Sequence, residues 1–169
     1  MIKKYGLGID LGTSNSAMAL CSFDDASVEL CRIPQLVEWG KIDSLNSLPS
    51  VLYIPASGEA EPDACRLPWG EAQDYVAGAF ARERGAVVPD RVVTSAKSWL
   101  CFHQADPRAR TLPFGSEIES GRRSALETSR IFIEHLRDAL LYGQTERNEA
   151  ISLSDCEVVV TVPASFDDA

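Results

Sequence analysis

Residues 5–18 read Tyr5-Gly6-Leu7-Gly8-Ile9-Asp10-Leu11-Gly12-Thr13-Ser14-Asn15-Ser16-Ala17-Met18. This order describes an apolar strand, a tight turn that carries a carboxylate, and a second strand. A turn built in this way can hold a phosphate chain and its metal ion. Gly12 removes a side chain where a ligand would approach, the backbone N–H groups that follow can converge on anionic oxygens, and Thr13, Ser14 and Asn15 add donors. Asp10 offers the hard oxygen that Mg²⁺ takes directly or through water. The same residue types also build ordinary hairpin loops. Two familiar phosphate loops do not fit the spacing. No Lys follows a second Gly as in a Walker loop, and a strand follows the turn where the dinucleotide fingerprint would open a helix.

The composition narrows the classes. With 169 residues, 45% hydrophobic and 24% charged, the chain has the make-up of one soluble globular domain with a real core. Sixteen Lys and Arg against 25 Asp and Glu give a net charge of −9, and no basic stripe forms, which argues against nucleic acid or an anionic membrane as partner. A phosphate bound by such a chain needs a metal ion or local donors. The five cysteines, Cys21, Cys31, Cys65, Cys101 and Cys156, are scattered without a C-x-x-C pair, and there are two histidines. A zinc site and a disulfide framework are therefore disfavoured, and each Cys reads as a small buried apolar residue. No apolar stretch has the length of a signal peptide or membrane span, so a reducing cytoplasmic setting is expected.

Along the chain, strands are expected over 5–10, 17–23 and 28–33, an antiparallel meander with a polar turn at Asp24-Asp25-Ala26-Ser27. Residues 34–47 read as a loop, and 49–54 as another strand. Ala72, Tyr75, Val76, Ala79 and Phe80 share one face of a helix over 71–84 that Gly85 would close as a C-cap. A further helix is expected within 92–100, then a polar surface loop over 104–121. Ser124 and Glu127 form an S-x-x-E capping box that opens a helix over 124–142, ending before Gly143, with Ile131, Phe132, Leu136, Ala139 and Leu140 as its buried stripe. The unbroken apolar run over 158–162 is what an interior strand covered on both faces would show, ended by Pro163. Strands, then helices, then a return to a central strand predict an α/β sheet. The closing Phe166-Asp167-Asp168-Ala169 resembles the start of a helix, which reads as a fragment of a longer protein.

Gly8-Ile9-Asp10-Leu11-Gly12-Thr13-Ser14-Asn15-Ser16 resembles the first phosphate motif of the actin, sugar-kinase and heat-shock ATPase superfamily. The far end, Val159-Val160-Thr161-Val162-Pro163-Ala164-Ser165-Phe166-Asp167-Asp168-Ala169, is similar to the strand and turn that close the first half of the ATPase domain in DnaK-type heat-shock chaperones of the seventy-kilodalton class. Between these, Leu48-Pro49-Ser50-Val51 resembles the segment after that family's third strand, and Lys97, in Val92-Val93-Thr94-Ser95-Ala96-Lys97, falls where the family keeps its catalytic lysine. The resemblance spans nearly the whole chain and is densest at its two ends.

It implies a ribonuclease H-like, actin-like ATPase fold: an incomplete first lobe with a core of residues 1–33 and 124–169 and an inserted peripheral subdomain over about 34–123. It also implies ATP, hydrolysed to ADP and phosphate, and Mg²⁺ as cofactors: Asp10 would position Mg²⁺ and its waters, Gly12, Thr13, Ser14 and Asn15 would form the turn that binds the β- and γ-phosphates of ATP, and Lys97 would reach the γ-phosphate. Pro163 would pass the nucleotide state toward a peptide-binding domain. Taken alone, Lys97 reads as an exposed helix lysine and Pro163 as an ordinary strand end. The expected partners are extended peptides and co-chaperones of the full-length protein, with self-association expected of the isolated chain. The sequence departs from the family pattern at Ser98-Trp99-Leu100, where basic residues usually follow the lysine, and at Ser165, where an aromatic residue is common. These departures suggest a divergent bacterial-type relative. Two alternatives share the opening turn: a small-molecule kinase of the sugar-kinase branch, and an actin-like nucleotide-binding assembly protein.

Overall fold

In the computed structural model of the chain, residues 3–102, 105–118, 120–146 and 151–161 are described. The elements run β1 (Tyr5–Leu11), β2 (Asn15–Ser22), β3 (Val28–Leu30), β4 (Ile33–Glu38), β5 (Lys41–Leu45), β6 (Leu48–Pro49), β7 (Val51–Tyr53), β8 (Val76–Ala77), α1 (Ala79–Val87), β9 (Val92–Thr94), α2 (Ala96–Leu100), α3 (Ala125–Glu146) and β10 (Cys156–Thr161). Among the described residues the strands form three sheets: β10-β1-β2-β3 with β6 paired to β2, the hairpin β4-β5, and β8-β7-β9. The architecture is mixed α/β.

Burial alternates along β1 with the period of a half-covered strand. Leu7, Ile9 and Leu11 are buried, while Gly8 and Asp10 between them are exposed. The expected meander is present, β1 pairing antiparallel with β2 and β2 with β3. The covering element is α3, whose capping box forms in full: Ser124 Oγ accepts from Glu127 N at 3.0 Å and Glu127 Oε2 accepts from Ser124 N at 2.9 Å. Its stripe of Ile131, Phe132, Leu136, Ala139 and Leu140 packs in one core with Leu7, Ile9, Met18, Leu48 and Leu52. Leu136, fully buried there, contributes about 2 kcal/mol through the water it no longer orders.

Several local expectations are corrected. Residues 34–47 are not a loop: β4 and β5 form a hairpin turning at Trp39-Gly40, where Gly40 takes φ +66°. Pro34 and Gln35 hide the strand signal, because a proline and a polar residue replace its apolar positions, yet both are buried. The helix expected over 71–84 begins only at Ala79, after the short strand β8. Gly78, at φ +93°, breaks the periodicity, and a Cβ there would stand 2.4 Å from Gln35 Oε1. Gly85 lies inside α1 and does not end it: a Cβ would stand 3.0 Å from Val92 Cγ2, so its smallness serves the packing of α1 on β9. The helix expected over 92–100 divides into β9 and the five-residue α2, separated by Ser95 in the left-handed region at φ +55°. Gly143 does not stop α3, which runs on to Glu146.

The run beginning at Val158 is a strand, as expected, but not one covered on both faces. Among the described residues β10 pairs with β1 alone, in parallel, and Val158, Val159 and Val160 are all exposed. Apolar composition records that a strand can be buried. It does not supply the second layer. Val162 and Pro163 lie outside the described residues. Cys65 and Cys156 are buried as expected, whereas Cys21, Cys31 and Cys101 are only half-buried.

Candidate functional site

The β1–β2 turn sits at one end of the first sheet, where four other parts of the chain meet this hairpin. Gly12, Thr13 and Ser14 connect Leu11 of β1 to Asn15 of β2, and Thr13, Ser14 and Asn15 are exposed. Gly12 is required by the closeness of the turn: a Cβ would stand 2.0 Å from the Asn15 carbonyl oxygen. Ser50 grips the turn from the side. Its Oγ donates to the Gly12 carbonyl at 2.7 Å and lies 3.1 Å from Ser16 Oγ, while its N–H donates to the Ser14 carbonyl at 3.0 Å. Three backbone or hydroxyl bonds from this one serine tie the turn to the segment that follows β6.

Lys97 arrives from α2. It is nearly buried, at 9% exposure, and its Nζ donates to the Leu11 carbonyl, between Asp10 and Gly12 in sequence. It is thus not the exposed helix lysine that the residue suggests in isolation. The left-handed Ser95 re-aims the chain between β9 and α2, so that α2 starts in the direction that lets Lys97 reach β1. Arg82 arrives from α1, its Nη2 donating to Asn15 Oδ1 at 2.6 Å and to the Ser14 carbonyl at 3.4 Å. Asp10 stands on the outer face of β1 beside Thr161 of β10, whose Oγ1 donates to Asp10 Oδ1 at 2.6 Å.

The structure therefore brings together Asp10, Gly12, Thr13, Ser14, Asn15 and Lys97. Pro163 lies outside the described residues. Three residues of the arrangement carried no assigned role in the sequence: Ser50, which lay unremarked in Leu48-Pro49-Ser50-Val51; Arg82, which looks like any charge on a helix face; and Thr161, hidden in an apolar run. Only tertiary contact distinguishes them.

Chemically, one end of an acidic chain holds two cations, several hydroxyl and amide donors, and one carboxylate. This is the local donor set that a phosphate needs when the chain as a whole carries charge −9. Among the described residues no group of three or more His, Cys, Asp and Glu could hold a metal ion. An ion at Asp10 would take its other ligands from phosphate and water, the usual arrangement for Mg²⁺, so the residues present fit a magnesium–phosphate ligand. Among the described residues no helix is long and apolar enough to cross a membrane.

No family model matches the chain. It is 30% identical over 169 residues to a "Chaperone protein HscA homolog" of Aeromonas hydrophila, an alignment covering 98% of this chain and 23% of that protein. It is 28% identical over 172 residues to "Chaperone protein HscA" of Edwardsiella ictaluri, covering 99% of this chain and 24% of that protein. The chain thus spans about a quarter of the length of these curated relatives.

Proposed function

We propose that this chain is the N-terminal part of the nucleotide-binding domain of a heat-shock-class chaperone ATPase, with the actin-like, ribonuclease H-like fold. In this reading residues 1–33 and 124–169 form its core and about 34–123 an inserted subdomain, and the full-length protein couples hydrolysis of Mg-ATP to the binding of extended peptides, with co-chaperones as further partners. The observation that carries it is the meeting of Lys97 with the β1–β2 turn across 86 positions of sequence, on the carbonyl that follows Asp10. The similarity to two proteins named as HscA chaperones supports the chaperone class and gives no support to the sugar-kinase or assembly-protein readings.

The chain's own residues would divide the work. Thr13, Ser14 and Asn15 bind the β- and γ-phosphates, with Gly12 leaving room for the turn to close. Asp10 holds the metal ion through its carboxylate or a bound water, its orientation set by the Thr161 hydroxyl. Magnesium, when bound, neutralises phosphate charge and orients the phosphate chain. Lys97 has three N–H donors, of which the Leu11 carbonyl occupies one, so its ammonium is held in place with donors left for a γ-phosphate oxygen. A cation fixed in this way stabilises charge that develops on the transferred group without reorganising during the reaction.

The test is single-turnover hydrolysis of Mg-ATP by the full-length protein, with and without a short apolar peptide. Asp10→Ala is expected to weaken Mg-dependent nucleotide binding, and Lys97→Ala to spare binding while lowering the hydrolysis rate by roughly a hundredfold or more, the size of effect seen when one transition-state donor is removed. Unchanged turnover in Lys97→Ala would sink the assignment of that residue. Turnover that requires a sugar acceptor would replace the chaperone reading.

A further inference from the structure

From the contacts around the turn we infer that Arg82 is a positioning residue of the phosphate site, holding the Asn15 carboxamide by its oxygen so that the amide NH₂ is presented to an anionic ligand. The inference rests on the phosphate reading of the turn and adds a residue to it. An Asn side chain carries one acceptor oxygen and one donor nitrogen, and a rotation of half a turn about its last bond exchanges them. A phosphate oxygen accepts hydrogen bonds and repels the carbonyl end. A free Asn15 could present either end to a phosphate, and the carbonyl end would repel it.

Arg82 removes that choice. The guanidinium can only donate, so the atom it touches at 2.6 Å must be the carboxamide oxygen. The NH₂ is then left for the ligand. The second bond, to the Ser14 carbonyl at 3.4 Å, ties the same guanidinium to the turn backbone.

For this to orient Asn15, α1 must itself be fixed, and it is. The Gly78 N–H donates to the Val51 carbonyl at 3.0 Å, and the Ala79 N–H donates to Oε1 of the fully buried Gln35 at 2.8 Å. Phe80 and Ala81, immediately before Arg82, are buried in the second core cluster with Tyr53 and Val76. Arg82 is thus an exposed side chain on a rigid base, reaching 67 positions back along the sequence.

The experiment measures Mg-ATP affinity of the full-length protein by calorimetry for wild type, Arg82→Ala, Arg82→Gln, Arg82→Lys, Asn15→Ala and the double variant Arg82→Ala/Asn15→Ala. Arg82→Ala and Asn15→Ala are each expected to weaken binding roughly tenfold, the effect of one hydrogen bond to a charged group, and the double variant no more than either alone. Arg82→Gln and Arg82→Lys, which both keep a donor for Asn15 Oδ1, should restore most of the affinity. Additive losses, or restoration by Lys but not by Gln, would show a bare charge at work and overturn the positioning role, as would unchanged affinity in Arg82→Ala. The Asn15 side-chain NH₂ resonances give a readout without nucleotide: they should be well ordered in wild type and averaged in Arg82→Ala. If wild type binds no Mg-ATP, the phosphate reading fails together with this role, a result distinct from binding that ignores Arg82.

Discussion

At the scale of single residues, His135 shows how burial turns a titratable group into a pH-dependent stabiliser. It lies on α3, its Nε2 at 2.9 Å from the Pro34 carbonyl, which makes Nε2–H the donor, and its ring meets Trp69 edge-on at 5.2 Å. Burial holds its pKa down at about 4, although the Pro34 carbonyl and Asp138 pull the other way. The folded value lies below the ordinary 6.5, so the unfolded chain binds more protons between the two. The contribution is therefore fully present above the unfolded value and is lost as pH falls toward 4. Between about pH 7.5 and pH 5 the loss should be about 2 kcal/mol. Urea unfolding of wild type and His135→Gln over this range checks it: the variant should lack that part of the pH dependence, and parallel curves would mean that His135 protonates without cost. The candidate site was legible at this scale where a residue type itself carries chemistry, as in Asp10, Gly12 and Thr13. It was illegible at Ser50, Arg82 and Thr161, ordinary residues whose contacts come from 38, 67 and 151 positions away.

At the scale of elements, Gln35 decides where α1 begins. Fully buried between strand and helix, it donates from Nε2 to the Ser47 carbonyl at 2.9 Å and to the Ile33 carbonyl at 3.3 Å, and accepts from the Ala79 N–H at 2.8 Å. It does for α1 what a capping side chain does, from 44 positions away. Gln35→Ala would remove the partner of the Ala79 N–H and of the Ser47 and Ile33 carbonyls and open a cavity beside them, and should lower stability by about 2–4 kcal/mol. Denaturant titration measures this, and hydrogen exchange should show early loss of protection at α1. A loss below about 1 kcal/mol would mean that water replaces the amide. The helix with its own local cap, α3, was readable because Ser124 and Glu127 lie three residues apart. The start of α1 was not, because its cap is tertiary. Likewise 71–75 carries helical spacing but is not helical, since Gly78 and the pairing of β8 with β7 override a short apolar pattern.

At the scale of the whole molecule, β10 is an edge strand of the main sheet among the described residues, and it carries three exposed valines. Val159 stands opposite Gly8 in the register, so no cross-strand side chain shields it. Such an edge is a template for another strand. The 169-residue chain should associate with rising concentration in sedimentation velocity, and Val159→Lys should suppress this by placing a charge on the edge. A chain that stays monomeric without the substitution would show that the edge is protected.

The amino-acid sequence by itself determined the hairpin β1–β2, the phosphate-suited turn between its strands, the capped helix α3 with its buried stripe, and the mixed α/β class. Each is encoded in residues that lie close together: a strand period of two, a helical stripe, a glycine in a tight turn, a cap and its partner within one helical turn. Tertiary packing alone buries Lys97 on the Leu11 carbonyl, brings Ser50 and Arg82 to the turn, lets Gln35 cap α1 and, among the described residues, leaves β10 at an edge. These depend on contacts between distant segments. Their free energy comes from burial and hydrogen bonding that exist only once the layers have packed.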